Sequence, residues 1–151
     1  MTIRSIINRG GEQGAQYSQA LHEWFAHIPG LRVVMPSTVT DARDLLFASV
    51  LCPDLVMYID DLWLYEEEDL PPVVELYLSD QRPQVTQSGS DITIVGSGHA
   101  SLLDRNVSTI LKNEQISAEV IDIRVMNPFF EEEIVSSVKK LRIYLLLILE
   151  L

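Results

Sequence analysis

The sequence predicts an α/β fold in two pieces, and three observations carry the prediction. Short β-branched or aromatic runs alternate with stretches of helical periodicity, as in a doubly wound parallel sheet. A glycine-rich loop with Gly10, Gly11 and Gly14 leads into an amphipathic helix and then a short strand, one crossover of such a sheet. After a polar, proline-broken stretch the pattern restarts at residue 91 with a strand, a Gly-Ser-Gly turn and a helix.

Residues 2–8, TIRSIIN, are rich in isoleucine and predict a strand feeding the glycine loop. Ala20, Leu21, Trp24, Phe25 and Ile28 then recur at roughly helical spacing, and Pro29-Gly30 ends that helix. Residues 31–35, LRVVM, predict the next strand. Ser37 or Thr38 can cap a helix over 39–51, with Ala42, Leu45, Leu46, Ser49 and Val50 expected on its buried face. LVMYID at 55–60 suits a buried parallel strand.

Between Glu66 and Gly89 the character changes. The acidic run Glu66 to Asp69 reads as a solvated loop, Pro71, Pro72 and Pro83 break regular structure, and Gln87-Ser88-Gly89-Ser90 is polar. Residues 69–90 are expected to link a first unit, 1–68, to a second, 91–151, with VVELYL at 73–78 as a strand inside the linker. The second unit predicts strands at 91–95 and 118–123 and helices at 99–113 and 129–140, the last preceded by Asn127-Pro128. The tail LRIYLLLILEL is a strand-like apolar run. Two parallel strands leave sheet edges uncovered, so both ends read as truncation points and a fragment is expected.

The totals bound the function. Apolar residues make up 47% of the 151, enough for a core and too many for disorder. A formal net charge of −11 argues against a binder of nucleic-acid phosphates. The lone cysteine, Cys52, rules out an internal disulfide, suits a reducing compartment, and among apolar neighbours reads as a buried small residue. There is no signal-peptide pattern, and the longest apolar run, 143–149, is far short of the ~20 residues of a membrane span. A soluble chain is expected, cytoplasmic or, in a eukaryote, of the mitochondrial matrix.

Several ordered segments carry a resemblance. GAQYSQ, WFAHIPGLRVVMPS, TVTDARDLLFASV, YIDDLWLY, DITIVGSGHASLL and AEVIDIRVMNPF, running from Ile3 to Lys140, look like thiamine-diphosphate enzymes of the transketolase type. They most resemble the beta subunit of the decarboxylating component of 2-oxo acid dehydrogenase complexes (pyruvate, branched-chain and acetoin enzymes). The resemblance implies the later part of a pyrimidine-binding domain followed by the start of a transketolase C-terminal-like domain. It implies thiamine diphosphate and Mg2+, held mainly by an alpha subunit, a second beta subunit in a heterotetramer, and acyl transfer to a lipoyl acyltransferase core. The cofactor-activating glutamate of such enzymes lies upstream of anything matched here, so the chain alone is expected to be inactive. YIDDLWLY favours the dehydrogenase side over a transketolase or deoxyxylulose-phosphate synthase. A non-catalytic module that keeps the subunit surface is a third class.

Tyr17 stands where the family usually has a histidine over the reactive carbon of the cofactor. A tyrosine, with a pKa of about 10, mostly cannot act as a base there, although it can donate a hydrogen bond. The plain alternative is a loop tyrosine packed against the domain. Ser49, Val50, Cys52 and Asp54 match a segment where some relatives bind K+ through backbone carbonyls, here with Cys52 for the usual acid and Pro53 inserted.

Other motifs have plainer readings. His22 and His27 are five apart, which does not put two ligands on one helical face; His27 reads as a helix-end residue. His99 follows Gly98 with no visible partner. Gly96-Ser97-Gly98 imitates a dinucleotide loop, but Ser101 stands at the third glycine and Asp122 is only suggestive as the acid, so tight strand-to-helix packing is favoured. Asp60 and Asp61, adjacent on a strand, point to opposite faces. Trp63 and Tyr65 are expected at a subunit interface by resemblance.

Overall fold

The computed structural model describes residues 1–8, 14, 19–69 and 77–146. Among them, three parallel strands form the heart of a first sheet: β1 (Thr2–Ile7), β2 (Leu31–Val34) and β3 (Leu55–Asp61), with β3 in the middle. The central position explains why LVMYID is apolar on both faces: Val56 to Asp61 are all buried. α1 (His22–Ala26) precedes β2, and α2 (Val39–Leu51) joins β2 to β3.

The second sheet holds β4 (Gln84–Gln87), β5 (Ile92–Gly96), β6 (Ala118–Asp122) and β8 (Tyr144–Leu146), in the order β4-β6-β5-β8. β5 runs parallel to β6 and β8, and β4 runs antiparallel to β6. α3 (His99–Asn113) and α4 (Glu132–Leu141) cover opposite faces. Thr93 on β5 hydrogen-bonds Ser137 of α4, whereas Gly96, three residues on, lies against α3. Between β6 and α4, β7 (Val125–Asn127) leaves this sheet and pairs antiparallel with β2 of the first one.

Four expectations change. The helix after the glycine loop is only five residues long, and Trp24 is 74% exposed; His22 is the buried residue of α1 and Phe25 is half-buried. The inward face of α2 is Asp41, Asp44, Leu45, Ala48 and Ser49, while Val50 faces solvent. Apolar spacing missed this because Asp41 is turned inward to meet Arg124. Gln84 to Gln87, read as linker, is the edge strand β4, and Gly89 lies so close to β6 that a Cβ would stand 2.1 Å from the Ala118 carbonyl carbon. Finally, the second sheet gains β4 and, with β8 formed from the strand-like tail, has four strands among the described residues. The expected strand at 73–78 falls mostly outside the described residues; Leu78 opens a short 3₁₀ turn, Leu78–Asp80, and is buried.

The core follows the two sheets. Val34, Leu45, Ala48, Val56, Tyr58 and Leu78 cluster under α2 together with Val125 of β7. Met57, Ile59, Val33 and Met35 cluster on the other face of the first sheet, with Met126 packed against them. Met126 also packs against the Val95, Ile121 and Ile123 cluster of the second sheet. Neighbouring residues of a strand point to opposite faces, so β7 ties three clusters together with two side chains.

Candidate functional site

A cleft of about 280 Å³ opens beyond the C-terminal ends of β2 and β3, where the first turn of α2 begins. Open parallel sheets commonly place ligands in this crevice. Thr38, the residue before α2, accepts a hydrogen bond from Asp41 N at 3.1 Å and so caps the helix at the cleft rim. Pro36, Val39, Ala42 and Leu64 supply the apolar lining; Ser37, Thr38, Asp60, Asp61, Tyr65 and Glu67 supply the polar part.

Asp60 and Asp61 divide their work as the strand alternation requires. Asp60 accepts from Arg4 Nε at 2.5 Å, and Arg4 also donates to the Tyr65 hydroxyl at 3.1 Å. Asp60 raises the pKa of the Arg4 guanidinium in return, through that hydrogen bond and its charge. Asp61 caps the short Leu62–Leu64 turn by accepting from Trp63 N at 3.1 Å. Tyr58 donates to Ala42 O at 2.7 Å, and burial, with Asp60 adding to it, pushes its phenol upward. Among the described residues, no Lys or Arg lines the cleft.

A polar joint holds the two sheets together beside this cleft. Arg124, in the turn between β6 and β7, donates twice to Asp41 of α2, at 3.0 and 2.6 Å. Ser37 donates to Asp122 at the end of β6, and Arg105 of α3 donates to Ser37 O at 3.1 Å and to the Ser37 and Ser101 hydroxyls at 3.3 Å. His99, at the start of α3, stacks on Trp63 with ring centroids 5.9 Å apart. A main-chain bond adds to it, Met35 N donating to Arg124 O at 2.9 Å, and the side-chain Nδ2 of Asn127 donates to Ile28 O and Leu31 O. Burial pushes the carboxyls of both Asp104 and Asp122 up to about 7; at Asp122 the Ser37 hydroxyl pulls the other way.

Residues 82–148 match the family model described as transketolase, C-terminal domain. Over 142 residues the chain is 33% identical to 2-oxoisovalerate dehydrogenase subunit beta 2, mitochondrial, of Arabidopsis thaliana, covering 93% of this chain and 39% of that protein. It is 33% identical to the pyruvate dehydrogenase E1 component subunit beta of Rhizobium meliloti, over 93% of this chain and 31% of that one. It is 31% identical to the acetoin:2,6-dichlorophenolindophenol oxidoreductase subunit beta of Cupriavidus necator, over 92% and 41%. The chain therefore spans well under half the length of these relatives. The fold agrees: a split gene transketolase, described as an inactive beta4 tetramer, superposes with a TM-score of 0.76 at 19% identity, covering 96% of this chain and 46% of that one.

Residues 82–148 thus carry a transketolase C-terminal domain, and the fold of the chain is transketolase-like. Its relatives by sequence are dehydrogenase beta subunits, as the ordered segments had implied.

Of the expected site residues, those that are described lie away from the cleft. Tyr17, with Gly10 and Gly11 of its loop, lies outside the described residues; Gly14 is described and takes a positive φ of 76°. Ser49, Val50, Cys52 and Asp54 sit at the opposite end of α2 from the cleft. Ser49 O already accepts from the Thr2 hydroxyl at 2.7 Å and from Cys52 N at 3.3 Å, and Asp54 O accepts from the N-terminal amine at 3.1 Å. Val50 is exposed, Cys52 half-buried. His22 is buried and His27 is the exposed C-cap of α1, so the two do not meet. His99, expected to lack a partner, has the Trp63 ring.

Gly96 and Gly98 serve packing, as favoured. A Cβ on Gly96 would stand 2.2 Å from Asp104 Oδ2 and 3.0 Å from Ser101 N, and Gly98 has a φ of +53° as it turns into α3. Sequence reasoning missed Arg4, Ser37, Asp41, Arg105 and Arg124. Lone charged residues at helix starts and strand ends look like solvent contacts until the fold pairs them. No helix among the described residues is long and apolar enough to cross a membrane.

Proposed function

We propose that this chain is part of the beta subunit of a thiamine-diphosphate-dependent 2-oxo acid dehydrogenase. The observation that carries the reading is its similarity, across nine-tenths of its residues, to beta subunits of 2-oxoisovalerate and pyruvate dehydrogenases and of an acetoin oxidoreductase. Joined to an alpha subunit and a second beta subunit, the whole protein would oxidatively decarboxylate a 2-oxo acid and hand the acyl group to the lipoyl domain of an acyltransferase core. Thiamine diphosphate supplies the electron sink for that decarboxylation. Mitochondrial names among its relatives support a matrix location if the source is eukaryotic, and a cytoplasmic one otherwise.

The cleft's donor set bears on who holds what. With carboxylates and, among the described residues, no cationic side chain in its lining, it does not suit a diphosphate, which supports leaving the diphosphate and its Mg2+ to the alpha subunit. The chain's own part is the apolar wall and the rigid joint behind it. Residues 1–68 would serve as the pyrimidine-binding part, and 91–151, with β4 as its edge strand, as the C-terminal part. A K+ ion at Ser49, Val50, Cys52 and Asp54 would require the Thr2 hydroxyl to release Ser49 O, since that carbonyl already accepts two bonds.

Co-expression with an alpha subunit tests the reading. A stable complex that binds thiamine diphosphate by calorimetry and releases CO2 from a 2-oxo acid supports it. Tyr17 favours one second reading, a subunit-binding module without chemistry. A complex that forms but neither binds cofactor nor turns over would establish that reading, and a chain that ignores the alpha subunit would sink both.

A further inference from the structure

Asp104 occupies a place that its neighbours do not explain. Its side chain is wholly buried between α3 and β5, and neither carboxyl oxygen has a hydrogen-bond partner. Buried carboxylates are ordinarily paired, because an ion without donors is strongly disfavoured in a dry interior. Glycine at 96 leaves the room that the carboxyl takes.

The charges around it do not balance. On its own helix stands Arg105; on β6, Asp122; across the joint, Asp41 of α2 and Arg124 of the β6–β7 turn. Asp41, Asp104 and Asp122 are three acids against two guanidiniums. Arg124 is committed to Asp41 through both donations. Asp122 has donors in place, the Ser37 hydroxyl and Arg124 N at 3.3 Å. Arg105 spends its donors on Ser37 and Ser101. The acid left over, and left without a donor, is Asp104.

We propose that Asp104 is a proton-held latch for the joint: it lies beneath α3 as the neutral acid, and its ionisation unseats the helix that brings His99 and Arg105 onto the first sheet. Burial, against the pull of Arg105, places its titration near neutrality, at about 7. An unburied aspartate titrates near ~3.9, so the docked form binds a proton that the undocked form has released between these values. Docking is firmest below about pH 4, weakens by up to tenfold per pH unit as pH rises towards 7, and is weakest above it.

Carboxyl-carbon NMR on the full chain tests this from pH 4 to 9, with Asp104→Asn and Asp122→Asn alongside. Two carboxyls should stay protonated at pH 6 in the wild type, and the one that persists in Asp122→Asn should vanish in Asp104→Asn. If every carboxyl ionises below pH 5, or Asp122→Asn leaves none protonated at pH 6, the proposal is overturned. Exchange of the Met35 amide, which bonds across the joint to Arg124 O, reads the mechanical half. Corrected for intrinsic rates, its opening should rise with pH between 5 and 7 in the wild type, and that rise should shrink in Asp104→Asn. The same rise in both proteins would show that the proton does not govern the joint. Should Asp104→Asn fail to fold, the wild-type titration and its survival in Asp122→Asn still decide where the proton sits.

Discussion

Arg124 and Asp41, 83 residues apart in the chain, meet through two parallel N–H donations in a buried position where the two sheets join. The pair explains why a helix with weak apolar periodicity turns Asp41 inward, and it fixes α2 to the β6–β7 turn. A buried pair of this kind is held more by what breaking it leaves behind than by its own attraction. Arg124→Ala should therefore cost about 3–5 kcal/mol, since Asp41 is left charged and unpaired. Asp41→Asn should cost less, and the two changes together less than their sum, measured by urea unfolding in a double-mutant cycle.

Thr38→Ala removes the side-chain cap of α2 without touching the core. A loss of about 1 kcal/mol is expected. Thr38→Ser should restore most of it, because the hydroxyl is the acceptor.

Gly89→Ala puts a methyl group against the backbone of Ala118 and Glu119, where it would stand 2.1–2.4 Å from main-chain atoms. Backbone cannot yield as a side-chain tip can, so the loss should reach about 1–3 kcal/mol or more. Had Gly89 been free linker, the same change would be close to neutral, and thermal melting separates the two.

Global stability should fall as pH rises from about 4 to 7. Asp104 and Asp122 both have folded-state values near 7, above an unfolded ~3.9. Their contribution is complete below the lower value and gone above the upper one, with a slope of up to about 1.4 kcal/mol per pH unit for each proton. Urea midpoints at pH 5 and 8 in constant salt check the sign.

If the assembled protein decarboxylates at all, Tyr17→His should raise turnover by roughly 10²-fold or more, the usual contribution of a positioned acid–base group. An unchanged rate would mean that position 17 takes no part in proton transfer.

Much of this fold was legible in the sequence, and the exceptions share a cause. α2 and α3 start and stop where Thr38 and the Gly-Ser-Gly turn said they would, because caps and glycines are local signals. β4 and β7 were not seen: QVTQ and VMN are too short and too polar to announce strands, and each exists only because a neighbouring edge accepts it. The joint was invisible for a similar reason. Ser37, Asp41, Arg105 and Arg124 are scattered over almost ninety residues, and nothing local distinguishes a buried arginine from a solvated one. The family was legible because ordered segments together constrain far more than any one of them.

The placement of β7 also bears on how the chain is made. Asn127 donates to Leu31 O from 96 residues downstream, and among the described residues β7 is the strand that pairs with β2 on that side. On a translating ribosome the first sheet must wait with its β2 edge open through the synthesis of α3, β5 and β6. That exposed edge is open to wrong pairing during synthesis, and a nascent-chain chaperone would have reason to shield it.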